Sequence, residues 1–97
     1  MSRVVIKDST INLNNGGVNV KGNGVANLAI VLDTLIDANT TFAVQADGAG
    51  NAIGVTNSYL TASPTGLSLL NGATATSTGP SNVVGGAGTF SATNLFK

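Results

Sequence analysis

The segment from Val25 to Ala38, VANLAIVLDTLIDA, decides the fold class, because it fits both a helix and a pair of strands. Its apolar residues recur at the i, i+3, i+4, i+7 spacing of one helical face, which favours a helix over residues 25–37. The rival interpretation is two buried strands, Leu28–Leu32 and Thr40–Val44, since Ile30 is followed by Val31 and both are β-branched. We predict the helix. The residues at its apolar spacing are Val25, Leu28, Ala29, Leu32, Leu35 and Ile36.

The stretch before it, INLNNGGVNV from Ile11 to Val20, carries a strand signal. Apolar and polar residues alternate on both sides of the pair Asn15-Gly16. Such a pair favours a tight turn, because asparagine and glycine accept a positive φ at little cost. We therefore predict an N-terminal β-hairpin over residues 11–20. Its apolar face would consist of Ile11, Leu13, Val18 and Val20.

The chain after Thr40 alternates short strand-like stretches with glycine, proline and asparagine. This spacing is typical of a small sandwich, barrel or meander. No strict internal repeat is evident, which weakens a solenoid interpretation. We predict one mainly β domain over residues 1–97, with the helix as its exception. The predicted strands are Thr40–Val44, Ile53–Leu60, Gly66–Leu70, Asn82–Val84 and Thr89–Thr93.

Two segments near the C-terminus leave alternatives open. Residues 71–89 are close to low complexity and form either a flexible loop or an extended arm that a neighbouring subunit orders. The tail, residues 90–97, is apolar. We predict that Phe90, Leu95 and Phe96 are assembly contacts that anchor in a neighbour's groove, with closure of the subunit's own core as the alternative.

The composition excludes most catalytic chemistry. The chain has no cysteine and no histidine, and its only acids are four aspartates. A Ser-His-Asp or Cys-His arrangement cannot be built from these residues, and four scattered carboxylates make a poor zinc site. We predict a protein that is not an enzyme, with no catalytic, cofactor-binding or metal-binding residue.

The stretch DGAGNAIG, Asp47 to Gly54, is the one candidate for a phosphate-binding loop. No clear helical face follows it, it lacks the lysine of a P-loop, and no acidic residue comes after Asp47. A dinucleotide site requires a helix and a later acid. We therefore interpret its glycines as turn residues that supply positive φ.

The scarcity of charge favours association between copies of the chain. Charged residues make up 8%, the formal net charge is zero, and none lies between Gly48 and Phe96. A surface with so little charge provides little repulsion between copies. Arg3, Lys7 and Lys21 are too few for a nucleic-acid surface, and we interpret them as residues that discourage pairing at strand edges.

These observations favour a structural subunit that assembles with copies of itself, or with a larger shell or tube protein, into or onto a shell, tube or fibre. The alternative is a small carbohydrate-binding or adhesive β-module. The composition is similar to that of small phage head and tail accessory proteins and bacterial surface-fibre subunits, an analogy that rests on no motif. No signal peptide is visible and the apolar runs are too short to span a bilayer. We predict cytoplasmic synthesis, no membrane insertion, and a virion or an extracellular assembly as the final location.

Overall fold

The computed structural model describes residues 2–22, 26–79 and 81–94. These residues form twelve β-strands and no helix. The mainly β prediction is confirmed, and the predicted helix is wrong. The strands are β1 (Ser2–Lys7), β2 (Thr10–Asn12), β3 (Gly16–Lys21), β4 (Asn27–Leu32), β5 (Leu35–Asp37), β6 (Phe42–Asp47), β7 (Ala52–Thr56), β8 (Tyr59–Thr61), β9 (Thr65–Leu70), β10 (Thr74–Thr78), β11 (Val83–Val84) and β12 (Ala92–Asn94).

The strands wind into a β-solenoid. The first coil contains β1, β2 and β3, the second β4, β5 and β6, and the third β7, β8 and β9, while β10 and β11 continue into a fourth. Each strand pairs in parallel with its counterpart in the next coil. This produces a first sheet of order β1-β4-β7-β10-β12, a second sheet β2-β5-β8-β11 and a third sheet β3-β6-β9. The predictions of a sandwich, barrel or meander are therefore wrong.

The segment predicted as a helix forms β4 and β5. Asp33, which lies between them, has φ +48°, a left-handed conformation that does not continue a helix. Ala29, Val31 and Ile36 are buried in the core, whereas Leu35 is 37% exposed. The helical spacing arises because two short strands and a corner between them bring apolar residues back at similar intervals. The rival strands Leu28–Leu32 and Thr40–Val44 correspond to β4 and overlap β6, whereas β5 was not among the predicted strands.

The predicted hairpin over residues 11–20 is also wrong. Strand β2 pairs with β5 and strand β3 pairs with β6, so the two lie in different sheets. Leu13 turns the corner with φ +59° and is 80% exposed, whereas Val20 is buried. An asparagine-glycine pair permits a corner as readily as a hairpin, because both require unusual φ values.

The internal repeat is not evident from residue identities, because it preserves the class of residue at each position and not the residue itself. Backbone N–H groups at the corners donate to side chains that lie 24 or 25 residues further along the chain. Each of the first three coils carries the same four-residue motif. It consists of an aliphatic residue, a variable residue, Asp or Asn, and Ser or Thr. The three copies are Ile6-Lys7-Asp8-Ser9, Val31-Leu32-Asp33-Thr34 and Val55-Thr56-Asn57-Ser58.

The core is a stack of small aliphatic side chains. Alternate residues of each strand point inward, so the same register position builds a column along the solenoid axis. One such column joins Ala29, Ile53 and Ala75, all of them buried. An inner coil is covered by a neighbouring coil on both sides, whereas a coil at either end of the stack has a neighbour on one side only.

The strands predicted after Thr40 lie close to observed ones. The stretch predicted as Ile53–Leu60 is divided into β7 and β8 by a corner at Asn57, whose φ is +48°. Within residues 71–89, β10 pairs with β7, and β11 pairs with β8. Whether a neighbouring subunit orders this segment stays a prediction.

Candidate functional site

The first coil is an open end of the solenoid. Strands β1, β2 and β3 are edge strands of their three sheets. Val4 is 53% exposed, although Ala29, at the same register position one coil along, is 3% exposed. No described residue covers the outer side of this coil, so the end presents apolar core together with strand edges.

A groove opens into the core at this end. It has a volume of about 350 Å³ and is lined by residues of β1, β3 and β4. Lys21 is among the lining residues, and the apolar ones are Val4, Val18, Val20, Leu28 and Ala29. Val5, which is 52% exposed, points to the side of the solenoid and does not line the groove.

A series of polar corner residues also ends at the first coil. The backbone N–H of Thr34 donates to Ser58 Oγ at 3.1 Å, and the N–H of Ser58 donates to Asn82 Oδ1 at 2.9 Å. Ser9 occupies the equivalent position in the first coil, and no described N–H donates to its Oγ, which itself donates to the Lys7 carbonyl. At the other end of the series, the Asn82 N–H has no acceptor among the described residues. The series therefore ends with an available acceptor on the first coil and an available donor on the fourth.

The charges are distributed unevenly along the axis. Arg3, Lys7 and Lys21 all belong to the edge strands β1 and β3 of the first coil, the position predicted for residues that discourage edge pairing. The second coil carries aspartates, and the described residues after Asp47 carry no charged side chain. The open end is thus cationic, whereas the described residues of the opposite end carry no charged side chain.

Of the three residues predicted as assembly contacts, the structure describes Phe90. Phe90 is partly buried and packs against the buried core cluster. This placement corresponds to the alternative in which it closes the subunit's own core. Leu95 and Phe96 lie outside the described residues. Assembly through this tail stays a prediction.

The stretch DGAGNAIG forms a corner between the third and first sheets. Gly48 has φ +110° and Gly50 has φ +87°, which confirms the prediction of turn residues for these two, whereas Gly54 lies on β7 and has no positive φ. Asn51 is 1% exposed, and its side chain donates to the carbonyls of Asp47, at 2.7 Å, and Gly22, at 3.3 Å. Its Oδ1 accepts from the Asn27 N–H at 3.2 Å. The Asn51 amide is therefore used to hold neighbouring coils together.

The aspartate carboxylates lie at separate places in the fold. Asp33 lies at a corner and its Oδ1 accepts a hydrogen bond from Asn57 at 2.7 Å, while Asp37 lies on β5. Within residues 2–22, 26–79 and 81–94, no three residues capable of ligating a metal form a group. The same part of the chain contains no helix long and apolar enough to cross a membrane.

Comparisons with known proteins add no further guide. No protein-family model, no curated protein and no solved structure matches this chain. The observations that bear on function are therefore the geometry of the first coil and the distribution of charge.

The open end was not predicted from the sequence. Val4 and Val5 are adjacent valines on β1, and strand alternation alone does not say which of them points along the core and which points sideways. The repeat that starts at Ile6 was the available signal. Aligning it with the later copies places Val4 with Ala29 and would have marked the first coil as the end of a stack.

Proposed function

We propose that the chain is a structural, non-enzymatic subunit whose copies stack head to tail, the last coil of one against the first coil of the next, to form a fibre. The observation that supports this most strongly is the open first coil, with Val4 half exposed at the mouth of the core. Inside the subunit, the second and third coils are each covered by their neighbours through paired strand edges and a shared core column. Another coil is therefore the natural complement of the exposed first one.

The charges favour stacking of unlike ends. Two first coils face to face would bring together two sets of Arg3, Lys7 and Lys21, with Asp8 as the only acid on each coil. Like charges on opposed strands are destabilising. The described residues of the fourth coil carry no charged side chain, so contact with them avoids this repulsion. Head-to-tail stacking would also preserve the parallel strand pairing that joins every pair of successive coils in the subunit.

The corner series supports the same direction. In the second and third coils, the N–H at this corner donates to the side chain of the following coil, from Thr34 to Ser58 and from Ser58 to Asn82. A copy stacked head to tail would bring its Asn82 N–H towards Ser9 Oγ of the next copy. Because the surfaces that meet are different, the contact does not close on itself and generates an open filament.

The direct test is the mass of the unmodified protein as its concentration rises, followed by negative-stain electron microscopy. We expect the mass measured by light scattering to rise continuously above the 9.5 kDa of one chain, and fibres to form. The axial repeat should be about 19 to 24 Å, because the subunit is four strands thick in the second sheet and five in the first, where β12 covers β10, at spacings of about 4.8 Å. A monomer at every concentration, or growth that stops at a dimer, would contradict the proposal.

The expectations of a virion or extracellular location and of a larger shell or tube protein as partner remain predictions. They rest on composition, and no contact within the chain bears on them. The non-enzymatic part of the proposal is supported by the absence of histidine and cysteine from the sequence.

A further inference from the structure

The outer face of the second sheet carries an apolar stripe that the core does not use. Leu35 and Tyr59 lie opposite each other in register, and Val83 follows Tyr59 on the next strand. Their exposed fractions are 37%, 51% and 42%. The stripe runs along the solenoid axis with one residue per coil, at intervals of about 4.8 Å.

A shallow groove of about 400 Å³ runs beside this stripe. Its lining residues are Asp33, Thr34, Leu35, Asn57 and Tyr59. Asp33 and Asn57 both have φ +48°, and Asn57 Nδ2 donates to Asp33 Oδ1 at 2.7 Å. This bond holds the two planar groups side by side. The other Asp33 oxygen and Asn57 Oδ1 accept no hydrogen bond from the described residues, so two acceptors border an exposed aromatic ring.

This combination selects a ligand with an apolar face and hydroxyl groups at its edge. The Tyr59 ring and Leu35 provide apolar contact area, and hydrogen bonds to the two acceptors would orient the ligand. The lining residues include the carboxylate of Asp33 and no cationic side chain, so an anionic ligand is disfavoured. We propose that this groove binds a linear, neutral oligosaccharide, whose C–H faces lie along the stripe and whose hydroxyl groups donate to Asp33 and Asn57. The groove lies on the side of the solenoid, so the proposal does not depend on stacking of the ends.

The chain provides its own reporter for a test. Tyr59 is the single tyrosine and there is no tryptophan, so the intrinsic tyrosine emission comes from this groove alone. Cellohexaose, maltohexaose and the hexamer of N-acetylglucosamine are titrated separately into the unmodified protein, with N-acetyltyrosinamide as the blank. We expect a saturable change in emission with at least one of them, at a Kd of about 1 mM or below.

The variant Asn57→Gly removes an amide that borders the ring while a glycine accepts the positive φ. The matched control is Asn71→Gly. Asn71 has φ +54°, is exposed, and donates to Asp47 Oδ1 at 2.7 Å, but it does not line the groove. We expect Asn57→Gly to weaken binding by about tenfold and Asn71→Gly to leave the Kd unchanged. The far-ultraviolet circular dichroism of both variants shows whether the fold is retained.

Three results would overturn the proposal. The first is the absence of a saturable response to all three hexasaccharides. The second is an equal loss of affinity in Asn57→Gly and Asn71→Gly. The third is a response to tetramethylammonium that is stronger than the response to any sugar, because Tyr59 beside Asp33 would then be a cation site.

Discussion

Val4→Lys is expected to abolish stacking at concentrations at which the unmodified chain forms fibres. The substitution places an ammonium group at the mouth of the open core, where an arriving coil would have to desolvate it without a partner. Leaving a charge buried and unpaired at an interface costs several kcal/mol, so we expect the association constant to fall about 100-fold or more. Light scattering over a concentration series measures this change.

The matched control is Val5→Lys. Val4 and Val5 are 53% and 52% exposed, adjacent on β1, and of the same residue type, but only Val4 lines the groove at the open end. Both substitutions add the same charge to the same coil. We expect Val5→Lys to retain fibres, with at most a weakening that added salt removes. Equal loss of assembly in the two variants would mean that net charge, and not the open core, controls association.

Gly66→Ala is expected to destabilise the subunit itself. A Cβ on Gly66 would overlap the Gly85 carbonyl oxygen and lie 2.8 Å from Val84 Cγ1 and 3.0 Å from the Leu60 carbonyl oxygen. Two of these neighbours are backbone atoms, which move only with the coil. We expect a loss of about 1–3 kcal/mol in the free energy of unfolding, measured by urea denaturation.

Gly54→Ala is the control for this substitution. Gly54 lies on β7 in the same coil, and a Cβ there would meet no atom within 4 Å. We expect no loss of stability, and a gain of up to about 1 kcal/mol, because alanine loses less backbone entropy on folding than glycine. If Gly66→Ala were as stable as Gly54→Ala, the register of the third coil against residues 84–85 would be wrong.

The local structure was accessible from the sequence to a large extent. Strand-forming residues between turn residues predicted strands near β6, β9, β11 and β12. Corners at Asp33 and Asn57 agree with the tolerance of Asp and Asn for positive φ. What alternation cannot indicate is the partner of each strand. A strand that pairs within a hairpin and one that pairs with the next coil carry the same pattern.

Other features had no local signal. Ala38 and Ala62 adopt φ +54° and +53° at equivalent corners, although alanine rarely favours that region. Their conformation follows from the winding of the coils. The exposure of Val4 likewise depends on the position of its coil in the stack. The candidate site at the open end could therefore be predicted only from the repeat that starts at Ile6, and not from the local pattern around Val4.

Head-to-tail stacking is tested most directly by disulfide trapping, since the chain has no cysteine of its own. Thr10 and Val83 are exposed and lie at the same register position at opposite ends of the second sheet. Within one subunit they are three strand spacings apart, about 14 Å, which is too far for a disulfide. In a head-to-tail stack in which β2 of the next copy pairs with β11, Val83 of one copy would lie opposite Thr10 of the next.

The measurement is non-reducing electrophoresis of the Thr10→Cys/Val83→Cys double variant after mild oxidation, beside each single variant. Head-to-tail stacking predicts a ladder of covalent dimers, trimers and larger species from the double variant, and no ladder beyond dimers from either single variant. A double variant that remains monomeric, or efficient dimers from Thr10→Cys alone without a ladder from the double variant, would contradict head-to-tail stacking through the first coil.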